Sequence, residues 1–344
     1  MTSLLLLLSP LSLSARPIDS PAPIATIRPA VVTQPVADDA DDPAIWVNPR
    51  NPAHSRVIGT NKVKRPSGGL YVFDLDGKIV QRIQGLDRPN NVDVIQGVFG
   101  RRDYAVCTER LQGRLRIFEI GAGGTLTDRT GQTDVVMKGT EEYGEPMGIA
   151  LWRSRRTGNV YALVSPKLGP ADGYLEQYEL SRDSETGRVN ARFVGRTGHF
   201  RGGKEIESIA TSADGISGYY SDETYGNRML VLQDRPNGYT DARPPLNPQF
   251  RGDHEGIALW ERGAQRYVVF TDQLPINSVY TVTRPNGSPI GQFSCGADET
   301  DGIAITAANL GPKFPRGLFV AMDSKRRRFV YVDWREIERT VLRR

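Results

Sequence analysis

A short motif that joins a carboxylate to an apolar run recurs along the chain and constrains its fold more than any other feature. The fullest copy, Asp253–Trp260, reads DHEGIALW, and Glu145–Trp152 repeats it as EPMGIALW. Two shorter copies repeat its core, Glu207–Thr211 and Asp301–Thr306, and two looser copies come earlier, Asp41–Trp46 and Asn90–Val94. Successive copies lie roughly 45 to 60 residues apart, a period typical of repeat arrays and propellers.

Each copy is followed by segments that are typical of antiparallel strands. One clear hairpin runs from Leu70 to Ile83, with an Asp-Gly turn at residues 76–77. Similar strand segments follow the other copies, and the only helix-like segment is the tail at residues 335–343. One acid-led inner strand and an outer hairpin in each of six repeats predict an all-β chain that folds as a six-bladed β-propeller.

The ends of the chain and its bulk composition limit the other possibilities. Residues 1–15 contain five consecutive leucines and resemble a secretory signal peptide, and residues 16–30 are rich in Pro and Ala. We therefore predict a signal peptide at 1–15, a flexible lead-in at 16–30, one propeller domain at 31–344, and a secreted or periplasmic protein. No other stretch is long and apolar enough for a transmembrane helix.

Charge and cysteine content exclude some partners and leave one question open. The formal net charge of +4 is small for 344 residues and gives no reason to expect nucleic acid or a membrane surface. The two cysteines, Cys107 and Cys295, lie in distant repeats and either pair or remain as buried free thiols. With three histidines and two cysteines, no zinc site of the usual spacing can be built.

Closing the repeats into a ring gathers the acids at one end of one axis. Carboxylates occur at predicted strand ends or adjoining loops at Asp41, Asp42, Asp93, Glu145, Glu207, Asp222, Glu223, Asp253, Glu255, Asp298, Glu299, Asp301 and Asp323. Asn90, Asn91 and Gln273 add neutral oxygen donors. Oxygen ligands on flexible loops suit calcium better than a transition metal, and we expect Ca²⁺ to be bound here. The alternative is that each acid only caps a turn on a solvated rim.

Basic residues occupy similar places in the first three repeats. Lys62 follows one predicted inner strand, and Arg110 and Lys167 follow the matching strands of the next two repeats. Cations beside a metal cluster would bind a polyanion, with phosphate the obvious candidate. The sequence contains no Gly-x-Ser-x-Gly elbow and no phosphate loop, so water activated by metal is a simpler nucleophile than a side chain.

The sequence resembles the β-propeller phytase family from about residue 31 to 336. The segments that carry the resemblance are Asp38–Trp46, Thr60–Lys62, Asn90–Asp93, Tyr174–Leu180, Asp298–Ile303 and Leu310–Asp323. The resemblance implies a six-bladed propeller that binds several calcium ions. It also implies a 3-phytase-like phosphoric monoester hydrolase that acts on phytate (myo-inositol hexakisphosphate), taken as its calcium complex. We expect a monomer.

The family's functional positions transfer to this chain residue by residue. Positions that match the catalytic-side calcium ions are Asp41, Glu207, Asp222 and Glu255, with Asp253 beside them. Positions that match a tightly held structural calcium are Asp42, the Pro43 carbonyl and Asn90, and further metal-associated positions are Gln273, Asp301 and Asp323. The phosphate-binding cations would be Lys62, Arg110 and Lys167. Glu207, Asp222 and Asp41 would hold the ions that generate the nucleophile.

The chain departs from the family pattern at several places, and two other functions stay open. Met147 stands where the family often has a phosphate-contacting tyrosine, although Tyr143 is close by, and Asp222 stands where glutamate is usual. One alternative is a calcium propeller that opens lactones or esters, which would not need the three cations. The other is a non-catalytic propeller that binds a phosphorylated ligand, which the methionine would favour.

Overall fold

The computed structural model describes residues 23–138, 144–223, 225–236, 246 and 250–343. The predicted signal peptide and residues 16–22 of the predicted lead-in lie outside the described residues, as does Tyr143. The described chain begins with two short strands, β1 (Ala25–Thr26) and β2 (Val31–Val32). Both join blades that are formed by the last third of the chain.

The other strands form six sheets in which consecutive strands pair antiparallel, except that β11 pairs in parallel with β15 at the edge of blade 3. Blade 1 contains β3 (Ala40–Trp46), β4 (Arg56–Asn61), β5 (Gly69–Phe73) and β6 (Ile79–Gln84). Blade 2 contains β7 (Pro89–Val98), β8 (Arg102–Glu109), β9 (Arg114–Ile120) and β10 (Leu126–Asp128). Blade 3 has β11 (Thr130–Thr133) at its outer edge, with β12 (Gly144–Arg153), β13 (Val160–Leu168), β14 (Asp172–Arg182) and β15 (Val189–His199).

The second half of the chain continues the same plan. Blade 4 contains β16 (Ile209–Thr211), β17 (Ser217–Asp222) and β18 (Gly226–Val231). Blade 5 contains β19 (Asp253–Arg262), β20 (Gln265–Gln273), β21 (Val279–Thr283) and β22 (Pro289–Ser294), and blade 6 contains β23 (Ile303–Thr306), β24 (Leu318–Asp323) and β25 (Arg328–Asp333). Three 3₁₀ turns cover Pro52–His54, Arg110–Gln112 and Ser324–Arg326. The tail forms α1 (Trp334–Ile337) and a π-helical turn at Glu338–Leu342, in agreement with the helix-like segment of the sequence.

The six sheets close into a ring, which confirms the predicted six-bladed β-propeller. The six motif copies form or immediately precede the innermost strands β3, β7, β12, β16, β19 and β23. Each inner strand contacts the next, and β23 contacts β3. No helix within the described residues is long and apolar enough to cross a membrane.

The N-terminal segment closes the ring, and its first strand falls within residues 16–30, the predicted lead-in. Strand β1 pairs in parallel with β22 of blade 5, and β2 pairs with β25 of blade 6. Ile27 is buried, and its amide donates to the Ser294 carbonyl at 2.9 Å. Sequence reasoning missed these strands because two-residue strands show no periodicity; only their distant partners define them.

The hydrophobic core is divided among the spaces between neighbouring blades. Six clusters of buried apolar residues are present in the described chain, and each joins residues of two adjacent blades. Cys107 belongs to the cluster between blades 1 and 2 and Cys295 to the one between blades 5 and 6, and both are free thiols. Blade-to-blade packing of this kind fixes the angular position of every inner strand around the axis.

A β-bulge at the start of the inner strand recurs in four blades. The pairing register shifts between residues 40 and 43 in β3, 89 and 92 in β7, 146 and 149 in β12, and 254 and 257 in β19. Bulges bend a strand and redirect side chains, and they are common next to active sites. Here each bulge falls on the residues of the motif that carry carboxylates, amides or glycine.

Motif glycines permit the inner strands to approach closely at this end of the axis. A Cβ on Gly302 would lie 2.4 Å from Asp42 Oδ1 and 2.6 Å from Asp42 Cα, and one on Gly148 would lie 2.3 Å from the Glu207 carbonyl oxygen. A Cβ on Gly256 would lie 2.7 Å from the Asp301 carbonyl oxygen. Each glycine therefore faces the acid-bearing segment of the next blade.

Replacing Gly302 should destabilise the propeller at its ring closure. Gly302→Ala forces the backbone of blade 1 away from blade 6, and we expect a loss of about 1–3 kcal/mol in the free energy of unfolding, measured by denaturant titration. Gly123→Ala is the matched control, since no atom lies within 4 Å of a Cβ at that exposed position. Equal stability of the two variants would contradict the close-approach argument.

Candidate metal and phosphate site

The starts of the six inner strands place one residue of each blade at equivalent positions around the axis. These six residues, here called the inner ring, are Asp41, Asn90, Met147, Glu207, Glu255 and Asp301. Two positions earlier in each copy lies a second set, here called the outer ring: Asp39, Arg88, Glu145, Glu205, Asp253 and Glu299. Nine of these twelve side chains are carboxylates, so the ring closure creates a strongly acidic mouth.

Lys62 lies among the inner-ring carboxylates. Its Nζ contacts Asp41 Oδ1 and lies 3.5 Å from Asp301 Oδ2 and 3.6 Å from Glu207 Oε1. Burial by itself lowers the pKa of this ammonium group, but the surrounding carboxylates outweigh that effect and raise it well above its usual value. Lys62 is therefore a firmly charged cation that bridges blades 1, 4 and 6.

Asn90 links the carboxylates to a buried arginine. Its Nδ2 donates to Glu207 Oε1 at 2.6 Å, and its Oδ1 lies 3.4 Å from an Nη of Arg110. Arg110 is 6% exposed, and its Nε donates to Glu145 Oε2 at 2.9 Å. Hydrogen bonds therefore connect blades 2, 3 and 4 across the mouth.

Two groups of three carboxylates are arranged so that each could hold a metal ion. One group is Glu205, Glu207 and Glu223, the other is Glu223, Asp253 and Glu255, and within each group one oxygen per residue lies within 4.8 Å of the others. Glu223 belongs to both. Glu223 Oε1 and Glu255 Oε2 are buried and have no hydrogen-bond partner within the described chain. Buried carboxylate oxygens without donors fit a cation that would complete them.

The cost of keeping these carboxylates ionised is visible in their pKa values. Burial, then the Glu207 charge, raises the pKa of Glu223 to about 9. Burial likewise raises the pKa of Glu255 well above its usual range, with Glu207 and Asp301 adding to the rise, and burial also raises that of Asp41. A bound cation would reverse these shifts because it favours the ionised form.

The structure brings Glu223 to this cluster, whereas the sequence comparison selected the neighbouring Asp222. Asp222 Oδ2 accepts from the Arg201 amide and Oδ1 from the Tyr225 amide, both at 3.2 Å, so its carboxylate is used in holding the loop. The sequence analysis placed Glu223 among the mouth acids but gave it no role, and Glu205 was missed. The alternation Glu205-Ile206-Glu207 could have indicated Glu205, because Ile206 is fully buried while the glutamates on either side of it face the mouth.

The structure does not bring together the three residues predicted to hold a structural calcium, Asp42, Pro43 and Asn90. Asp42 Oδ2 accepts from the Val92 amide at 2.9 Å and so connects blades 1 and 2, while Pro43 lines the central cavity of about 530 Å³ below the mouth. Asp93 makes the next such link, accepting from the Leu151 amide at 2.7 Å. Asn90 points instead to Glu207. Asp42 and Asp93 therefore act as blade-to-blade hydrogen-bond acceptors in this structure.

Two further predicted metal positions differ in their surroundings. Gln273 donates through Nε2 to Asp301 Oδ1 and is therefore part of the mouth. Asp323 is fully buried and forms ion pairs with Arg326 at 3.3 Å and Arg328 at 3.0 Å. Arginine thus already supplies positive charge to Asp323.

The ends of the second strands divide the mouth into a basic and an acidic half. In blades 1 to 3 the second strand leads to Lys62, Arg110 and Lys167, and in blades 4 to 6 it ends with Asp222, Gln273 and Asp323. Lys167 Nζ donates to Glu205 Oε2 at 2.6 Å. The three predicted phosphate-binding cations thus reach the same mouth as the carboxylates, and each is paired with at least one of them.

The Met147 side chain is buried in the structure. It is 1% exposed, and the Met147 carbonyl accepts from the Thr108 hydroxyl at 2.7 Å. The sequence analysis noted this methionine where the family often has a tyrosine, and the nearby Tyr143 lies outside the described residues.

Comparison with known proteins agrees with this geometry. The 3-phytase of Bacillus subtilis (strain 168) is 29% identical over 342 residues, which cover 89% of this chain and 82% of the relative. Among solved structures, a calcium-binding protein, regucalcin from Agrobacterium tumefaciens str. C58, has a TM-score of 0.54 at 12% identity, covering 90% of this chain and 95% of its own. A protein of unknown function from Bacteroides thetaiotaomicron VPI-5482 has a TM-score of 0.52 at 8% identity, covering 87% and 71%.

The two solved structures show similarity in fold alone. The sequence itself identifies the family: residues 1–243, more than half of the chain, match the profile of the family described as Phytase. The chain therefore belongs to the phytase family.

Proposed function

We propose that this phytase removes phosphate from phytate in a calcium-dependent reaction. The observation that carries the proposal is the two-sided mouth, in which buried carboxylate oxygens without donors lie beside three convergent cations. The cations favour a phosphate substrate over an uncharged ester or lactone, because an uncharged substrate would offer no negative charge for Lys62, Arg110 and Lys167 to bind.

Glu205, Glu207, Glu223, Asp253 and Glu255 are the residues that would hold calcium. All five offer oxygen only, which suits a hard cation, and none of the metal-capable groups in the described chain includes histidine or cysteine. We place Glu223 in the role that the sequence comparison gave to Asp222. Calcium bound there supplies positive charge and lowers the pKa of water.

The ion pairs of the mouth explain why phosphate binding would depend on calcium. Glu205 pairs with Lys167 and also belongs to a metal-capable group, so a cation on Glu205 would compete for the oxygen that Lys167 now contacts. Glu207, which contacts Lys62, likewise belongs to a metal-capable group. Cations on Glu205 and Glu207 would weaken their hold on these two ammonium groups, and Lys62 and Lys167 could then orient a phosphate and stabilise its charge during displacement by water.

The first test compares Glu223→Gln with Asp222→Asn. Calcium should raise the melting temperature of the parent and of Asp222→Asn, because ligand binding to the folded state alone stabilises it. Glu223→Gln should lose most of this response and most of its phosphate release from phytate, assayed with calcium and with chelator. A full calcium response in Glu223→Gln, or activity that persists after verified metal removal, would contradict the assignment.

The second test separates phosphate chemistry from lactone chemistry. Arg110→Gln removes a fixed charge near the developing phosphate charge and should cost about 2–4 kcal/mol in kcat/KM for phytate. The control is Arg129→Gln. The Arg129 guanidinium pairs with Glu119 at 3.1 Å, at the end of blade 2 opposite the mouth. Hydrolysis of a neutral lactone but not of phytate by the parent would overturn the proposal, and binding of phytate without release would support a binding protein.

The third test uses the pH dependence of stability without metal. Glu223 titrates near pH 4.5 when unfolded and near pH 9 when folded, so the stability present below pH 4.5 is lost as pH rises toward 9. In chelator, the free energy of unfolding should therefore decrease across this window, and less steeply in Glu223→Gln. Saturating calcium should remove most of the decrease. Identical slopes with calcium and with chelator would show that no cation shares this site.

A further inference from the structure

Lys204 is a cation of the mouth to which the proposed reaction gives no role. It lies in the connection between β15 of blade 3 and β16 of blade 4, and its side chain is 52% exposed. Its Nζ donates to Oδ2 of Asp253, the first residue of β19 in blade 5. Lys62, Arg110 and Lys167 instead follow the second strands of blades 1 to 3, in the basic half of the mouth. Lys204 therefore places a positive charge beside the acidic half.

The carboxylate that Lys204 contacts belongs to one of the two metal-capable groups, here called the blade 4–5 group: Glu223, Asp253 and Glu255. The hydrogen bond with Asp253 raises the pKa of Lys204, and the charges of all three acids of the group raise it further. In return, Lys204 opposes the rise in the pKa of Glu223 that burial and the Glu207 charge produce. Lys204 is thus coupled electrostatically to every member of the group.

The backbone before Lys204 leaves the lysine free to move away from this contact. Gly202 and Gly203 precede it, and both have positive φ, +84° and +115°. A Cβ on Gly202 would meet no atom within 4 Å, so this part of the loop is not packed against a neighbouring blade. An exposed lysine also loses side-chain entropy when it is held by one partner. The contact between Lys204 and Asp253 is therefore one that a competing cation can displace.

Calcium on the blade 4–5 group and the Lys204 ammonium compete for the same carboxylate. Asp253 accepts from Lys204 through Oδ2, and it is also the residue that completes the group with Glu223 and Glu255. A cation bound to Asp253 would be repelled by the positive charge of Lys204. The ammonium group must move aside when the ion binds, and the loss of its contact reduces the net affinity for calcium.

We propose that Lys204 is a tethered counter-ion that calcium displaces, and that it sets the calcium concentration at which the blade 4–5 group fills. The inference rests on the proposed function, because it concerns the calcium on which that function depends. Without calcium, Lys204 balances part of the negative charge of Asp253 and Glu223. With calcium bound, the ion takes over this role and the ammonium group turns to solvent. The calcium affinity of the group is therefore lower than its three carboxylates alone would give.

The experiment titrates calcium into metal-free parent, Lys204→Gln, Lys204→Arg and Lys313→Gln proteins at low ionic strength, followed by calorimetry. Lys313→Gln is the matched control, because Lys313 also forms an exposed ion pair with an aspartate, Asp76. This pair joins the loop between β23 and β24 to the turn between β5 and β6, at the end of the propeller opposite the mouth. Circular dichroism in saturating calcium verifies that each variant is folded.

Lys204→Gln should bind calcium about 5- to 30-fold more tightly than the parent, because a competing charge beside the group is removed. Lys204→Arg, which keeps the charge, should bind calcium no more tightly than the parent, and Lys313→Gln should match the parent. Added salt should reduce the gain, since screening weakens repulsion between exposed charges. An unchanged calcium affinity in Lys204→Gln, or an equal gain in Lys313→Gln, would overturn the inference.

Melting temperatures give a second measurement, which a lysine with a merely structural role would not change in the same way. The rise in melting temperature between chelator and a fixed, saturating calcium concentration should be larger in Lys204→Gln than in the parent, because tighter binding to the folded state stabilises it more. A lysine that only supports the loop would lower the melting temperature equally in both conditions. A rise no larger than that of the parent would contradict the counter-ion role.

Both measurements follow calcium alone, so this inference and the proposed function fail separately. Tighter calcium binding by Lys204→Gln supports the counter-ion even if the parent releases no phosphate from phytate. Parent-like calcium binding by Lys204→Gln overturns the counter-ion even if the parent is an active, calcium-dependent phytase. A parent protein that binds no calcium would overturn both.

Discussion

Carboxylates that face one axis repel one another, and the mouth of this propeller depends on how that repulsion is balanced. Ring closure brings Asp41, Glu207, Glu255 and Asp301 together, and the first three are buried, where charge is costly. Lys62 offsets part of the repulsion through its contacts with Asp41, Glu207 and Asp301. Glu223 Oε1 and Glu255 Oε2 have no partner among the described residues, so their negative charge is not balanced by a cation of the protein. These oxygens are the ones to which our proposal assigns calcium.

The same balance links metal binding to substrate binding. Arg110 and Lys167 are paired with Glu145 and Glu205, so without other ions these two cations are already neutralised by acids of the mouth. Calcium on the acidic half would free cations on the basic half for phosphate.

The repeat period and the motif were sufficient to predict the architecture, because a fixed spacing of about 50 residues with one inner strand per repeat fits few folds. The same reasoning placed Lys62, Arg110, Lys167, Glu207 and Glu255 at one mouth, since equivalent positions in a closed ring share one radius and height. It chose Asp222 over Glu223, because a one-residue choice at a strand end depends on which side chain the loop uses for its own hydrogen bonds. It noted Met147 as a departure from the family pattern, and only the structure shows that this side chain is buried.

The sequence by itself therefore determined the number of blades, the acidic character of the mouth and the set of residue types available there. Only the tertiary structure decided which carboxylates share a position, that Asp42 and Asp93 connect blades, and that β1 and β2 close the ring with strands some 270 to 300 residues away. The physical reason is that residue spacing sets position along a strand, whereas contacts between blades are made by residues far apart in the chain. Their geometry follows from packing around the whole ring, which no local pattern contains.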